Sequence, residues 1–192
     1  FLAFHVSHPE WASQFKVVGF SCWDMIQPAF MFIVGVSMPY SYARRQQLGH
    51  AYGSRLRHVW GRALVLVGLG VFLQSLYHSE TNWLFTNVLS QIGLGYGLLF
   101  FLVGKRFRLQ VIVGAVVLVV YWILMVVFPL GFSDGLARHF ENGTSMPQTF
   151  DLWFLNLFPR ANSFSGSAYA TLNFVPALVT MLLGVMCGQL LR

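Results

Sequence analysis

Five stretches of the chain are apolar almost without interruption, and polar residues collect between them. They run over 24–42, 59–77, 85–104, 110–128 and 169–191. At about 1.5 Å of rise per residue, a helix of such length crosses a hydrocarbon core of about 30 Å. Backbone polar groups in lipid must be paired within their own segment, so helices are the expected form. The pattern predicts an all-α, polytopic transmembrane helix bundle, one domain over 1–192 with five spans. The connection 129–168 is longer than most, and it carries Phe132, Phe140, Phe150, Trp153, Phe154, Leu155 and Phe158. A short interfacial or re-entrant helix is expected within it, around 151–157.

Charge gives these segments a direction. Arg44, Arg45, Arg55 and Arg57 lie between the first two spans, Lys105, Arg106 and Arg108 between the third and fourth, and Arg192 after the fifth. The connection 77–84 has no Lys or Arg, and 129–168 has only Arg138 and Arg160. By the positive-inside rule the basic loops are cytoplasmic, and the amino-terminal stretch with His8 is extracytoplasmic. Cys22 and Cys187 then fall at opposite faces, beyond the roughly 7 Å that a disulfide allows, and are expected as free thiols.

Composition agrees with lipid as the solvent. Only 9% of the 192 residues are charged and 56% are hydrophobic, against about 25% charged in a soluble domain. The net charge of +6 sits in short loops between spans. The expected partner is the bilayer and not a nucleic acid. The chain opens at Phe1 without a signal-peptide pattern, which reads as part of a longer protein.

Polar side chains inside the spans narrow the function. Gln27, Gln74, Ser75, Asn87, Ser90, Gln91, Thr171 and Asn173 all fall in the outer half under this topology. Helix-to-helix hydrogen bonds, worth about 0.6 kcal/mol each, give no reason for a common depth. A polar cavity open to the outside does. Asp24 can cap the first span or belong to that cavity, and Arg62 can snorkel to the inner interface. Gly61, Gly68, Gly70, Gly93, Gly95 and Gly97 suit close packing around it, and Pro28, Pro39 and Pro176 suit kinks. His5, His8 and Glu10 make a weak metal pattern, and no metal is expected. A neutral histidine at His8 can act as base or nucleophile, or it can anchor the chain at the interface. A transporter or permease without covalent chemistry shares the cavity and the Pro-broken helices and is the alternative reading.

The segments His8-Pro9-Glu10-Trp11, Trp23-Asp24-Met25-Ile26-Gln27-Pro28 and Phe30-Met31-Phe32-Ile33-Val34-Gly35 resemble, in order, motifs of the heparan-α-glucosaminide N-acetyltransferase family. Val88-Leu89-Ser90-Gln91-Ile92 and Tyr169-Ala170-Thr171-Leu172-Asn173-Phe174 are similar to two later segments of that family. The resemblance implies a membrane-bound acyltransferase that moves acetyl from cytoplasmic acetyl-CoA to an amino sugar or glycan, at an amine or hydroxyl, on the far side. It makes this chain part of a protein of roughly ten to eleven spans, expected in a bacterial inner membrane, with a second copy as a candidate partner. It makes His8 the catalytic residue, with Asp24 orienting it. Trp11, Gln27, Asn87, Gln91 and Asn173 would line the acceptor site, and Arg44, Arg45, Lys105 and Arg106 would attract the coenzyme A phosphates. Two features depart from the family pattern. The family's preceding helix, with its Asp/Arg pair and assisting asparagine, is expected upstream of Phe1. Ser90-Gln91 stands where relatives often carry Gln-Arg.

Overall fold

A computed structural model describes residues 25–76, 80–128, 145–159, 163–166 and 169–192. It is built from helices: α1 (Ile26–Gln47), α2 (Tyr52–Ser75), α3 (Val88–Leu99), α4 (Phe107–Val127), α5 (Met146–Phe154) and α6 (Phe174–Leu190). Single 3-10 turns follow α5 at Leu155–Leu157 and precede α6 at Thr171–Asn173. Three helical stretches are long and apolar enough to cross a membrane: Tyr52–Ser75, Phe107–Val127 and Thr171–Leu190.

The molecule is a helical membrane bundle. Leu64, Val65 and Phe72 of α2 and Val111, Ile112, Val116, Val119 and Trp122 of α4 stand exposed, while α4 buries only Gln110 and Gly114. Apolar surface on that scale is lipid-facing surface, because water tolerates only limited apolar patches.

Three helices differ clearly from the sequence pattern, and α2 does so by starting at Tyr52, seven residues before the expected 59. α1 runs on to Gln47, about a turn beyond the expected end at 42, because its last turns are polar and helix-compatible. α3 has only 12 residues, about 18 Å at 1.5 Å each, although the apolar run is longer. Residues 81–86 before it are not helical, and tight turns over 100–105 follow it. Asn87 starts α3, its Oδ1 accepting from the Ser90 backbone N–H at 2.9 Å, the usual N-cap bond. Beyond it the chain reverses at Gly104, whose φ of 77° suits glycine. The fully buried Gln110 ties that reversal to α4, its Nε2 donating to the Leu102 carbonyl at 2.8 Å.

α6 is the hub. It packs along α1 and also meets α3 and α4, while α2 packs on α3. Met31, Met38, Ile92, Leu99, Leu178, Met181, Leu182 and Val185 form the shared core. The α1–α6 contact brings backbones together: a Cβ on Gly184 would fall on the Phe32 carbonyl, and one on Gly188 on that of Val36. Gly70, Gly93 and Gly97 also lie against neighbours, whereas Gly61 and Gly68 face open space and pack nothing.

The expected short helix exists as α5, beginning at Met146, five residues before 151. Pro147 favours its first turn. Phe154 and Phe158 pack on Phe85, and Trp83 stacks on Phe158 at 5.3 Å. Buried Asp151 accepts from the Thr171 backbone N–H at 2.7 Å. These contacts fix α5 at the same end of the bundle as the starts of α3 and α6.

Candidate active site

The first turns of α1, α3 and α6 meet at one end of the bundle, and the amide side chains predicted to gather do gather there. Gln27 Nε2 donates to Gln91 Oε1 at 2.6 Å, and Gln91 Nε2 donates to the Thr86 carbonyl at 3.2 Å. Gln91 is buried to 1% exposure. Its amide is spent on holding Gln27, so it backs the site without facing it. Gln27 keeps its carbonyl oxygen and one amide hydrogen for another partner.

Beside this pair is a cleft of about 660 Å³, within the usual size of small-molecule sites. Gln27, Asn173, Thr180 and Tyr169 give it polar groups, and Met31, Val88 and Pro176 are among its apolar walls. Neutral donors and acceptors over an apolar floor suit a hydroxyl-rich or amide-bearing molecule. Among the described lining residues none is a carboxylate or histidine, so a general base must come from elsewhere.

Asn87 belongs to the scaffold instead. Its Oδ1 caps α3 and its Nδ2 donates to the Leu84 carbonyl at 3.4 Å. It and Ser90 also fill the space beside Gly70. His8, Trp11 and Asp24 lie outside the described residues. Asp24 stands only two residues before α1 in sequence.

The residues expected to meet phosphates lie at the opposite, basic end. Arg44, Lys105 and Arg106 are exposed there. Arg45 lines a pocket there, with Ser41, Tyr42, Arg55 and His58. Arg55 and His58 had entered the sequence reading only as a topology marker and not at all, respectively. The available signal was their spacing: 55, 58 and 62 share one face of a helix.

Residues 2–192 match the family described as Heparan-alpha-glucosaminide N-acetyltransferase, catalytic. The chain belongs to that family. The match covers nearly every residue, including the segment before α1 that carries His8, Trp11 and Asp24. No curated protein and no solved structure matches the chain. Membership of the N-acetyltransferase family makes the protein a membrane-embedded transferase, and the amide-lined cleft is the described part of the fold suited to an acceptor.

Proposed function

We propose that this protein transfers an acetyl group from acetyl-CoA on the cytoplasmic side to the amine or hydroxyl of a sugar bound in the cleft on the other side. Family membership over 2–192 carries the reading. The cleft beside Gln27 and Asn173 supports it, because neutral hydrogen-bonding groups recognise a sugar without adding charge.

His8 takes the proton from the acceptor N–H or O–H, directly or after carrying the acetyl group itself. By the direct route the new bond forms to the acetyl carbonyl carbon as the thioester C–S bond breaks, and the thiolate receives the proton. By the other, a His8 ring nitrogen bonds the acetyl carbon as the C–S bond breaks, its ring proton going to the thiolate. The acceptor then displaces the imidazole and returns a proton to it. Asp24 orients His8 and stabilises its cation. Trp11 belongs to the acceptor site, Gln27 and Asn173 hold the sugar's polar groups, and Gln91 fixes Gln27. The basic loops favour His8 on the extracytoplasmic side, and a bacterial inner membrane is the setting that the resemblance implies.

The test is acetyl transfer in membranes from labelled acetyl-CoA to an amino sugar, with the natural sequence and with His8→Ala. The variant is expected to lose at least about 100-fold in rate, the usual worth of a positioned acid–base group. Activity near that of the unaltered protein would remove His8 from the reaction.

A further inference from the structure

We propose that the basic end of the bundle holds a site for a phosphate monoester or diphosphate group, built by Arg45, Arg55 and His58, with Arg62 on the way out. Arg55 is the centre. It lies in the first turn of α2 and is only 9% exposed, yet its Nε and Nη1 have no hydrogen-bond partner. Its guanidinium lies 4.6 Å from the ring centre of Tyr42 and 5.8 Å from that of Tyr52. Stacking of this kind engages the face of the cation and leaves the N–H edge unserved. A buried cation with an empty edge is costly unless an acceptor, best an anion, completes it.

Among the described residues no carboxylate side chain lies nearby. No Asp or Glu occurs from 25 through 79. Of the described carboxylates, Asp151 is bonded at the amide end and Glu80 lies in the connection at that same end of α2. Positive groups, by contrast, converge. Arg45, in the last turn of α1, places Nη2 2.7 Å from His58 Nε2. Donation by the arginine makes that nitrogen the acceptor, so the imidazole carries its hydrogen on Nδ1 and presents one more donor. Arg62, two turns from Arg55 on α2, lies over Tyr96 at 5.5 Å and has no ion pair among the described residues.

Shape limits what can bind. The pocket lined by Ser41, Arg45, Arg55 and His58 has an inner volume of about 20 Å³, enough for one or two oxygen atoms and too little for a ring. One or two oxygens of an oxyanion group fit beside the Met38, Val59, Tyr96 and Phe100 walls, and the rest of its molecule remains outside. His58 also borders a groove of about 380 Å³ that continues past Gly61 and Arg62 to Val65 and Leu66. An extended chain carried by the phosphate-bearing molecule fits that path, which offers His58 and Arg62 to polar groups and Val65 and Leu66 to apolar ones. Two molecules have this chemistry: coenzyme A, through its phosphates and pantetheine arm, and an anionic phospholipid, through its headgroup and acyl chain. The coenzyme A case rests on the acyltransferase reading above, and the lipid case does not.

The experiment uses the protein in phosphatidylcholine nanodiscs, titrated with coenzyme A by calorimetry, and in parallel measures phosphatidylglycerol retained on purification. Arg55→Met and Arg45→Met remove the charge and keep the stem, and Arg57→Gln, at an exposed α2 position outside the pocket, is the control. Each Met variant is expected to weaken the phosphate ligand about tenfold or more, as loss of charge-assisted hydrogen bonds implies, and Arg57→Gln to leave it unchanged. Loss confined to coenzyme A identifies that source, and loss confined to phosphatidylglycerol identifies the lipid. If Arg55→Met does not fold, Arg45→Met at its half-buried position decides. No change in either ligand on either variant overturns the site. Acetyl transfer by the unaltered protein is assayed alongside. Its absence with arginine-dependent phosphate binding intact would sink the transferase reading and leave the site standing.

Discussion

Asp151 shows how much a single position can hold together. It is 1% exposed, its Oδ2 accepts from the Thr171 backbone, and neither its Oδ1 nor the Thr171 Oγ1 has a partner. Burial raises its pKa above the ordinary 3.8, and the Thr171 backbone N–H holds part of that rise back. Relative to the unfolded chain, folding therefore shifts the balance toward the neutral acid, whose O–H can serve the Thr171 hydroxyl. The contribution to stability is full below the ordinary carboxylate pKa and is lost as pH rises from there through the raised value. Asp151→Asn supplies the same acceptor and a donor at every pH. Thermal unfolding across pH should show the natural protein weakening over that interval while the Asn variant does not, with the variant ahead by about 1–3 kcal/mol at neutral pH. Identical pH profiles would contradict this account. In the sequence Asp151 was visible only as a charge in an apolar connection, because its partner lies 20 residues away on another element. Gln27, Gln91 and Asn173 were easier to place, since amides within apolar runs draw attention by their cost.

At the scale of elements, the helices follow from apolar run length, but their packing does not. Gly184 and Gly188 sit four apart on α6, and Gly35 faces them from α1. That small-xxx-small pattern lets two backbones touch in lipid, where packing and not water exclusion drives association. The sequence reading put the close contacts at six other glycines, and Gly61 and Gly68 among them touch nothing. Spacing alone cannot say which face of a helix meets a neighbour when every face is apolar. Gly184→Ala is expected to cost about 1–3 kcal/mol through overpacking. Gly61→Ala should be neutral or stabilising by up to about 1 kcal/mol, from helix propensity alone. Unfolding in detergent monitored by tryptophan fluorescence measures both, and equal effects of the two would mean that α1 and α6 do not pack backbone to backbone. The length of α3 was equally hidden, for its apolar run gives no sign of the turns at 100–105. α5 was legible because seven large apolar residues in a connection demand cover.

For the whole molecule, the bundle separates two chemistries. Neutral amides and a roomy cleft lie at one end, and uncompensated arginines around a narrow pocket lie at the other. Under the proposed function, that polarity would set the anionic donor at one end and the sugar at the other. Binary pattern and loop charge made the division legible, because both act along the chain. The pockets themselves were not, since they depend on which helices meet. The most direct measurement uses sealed vesicles of one orientation, with labelled acetyl-CoA confined to the side of the basic loops and an amino sugar confined to the opposite side. The account predicts acetylated sugar on the acceptor side, formed at the rate at which acetyl-CoA is consumed. Sugar crossing the membrane unmodified, with acetyl-CoA untouched, would contradict it.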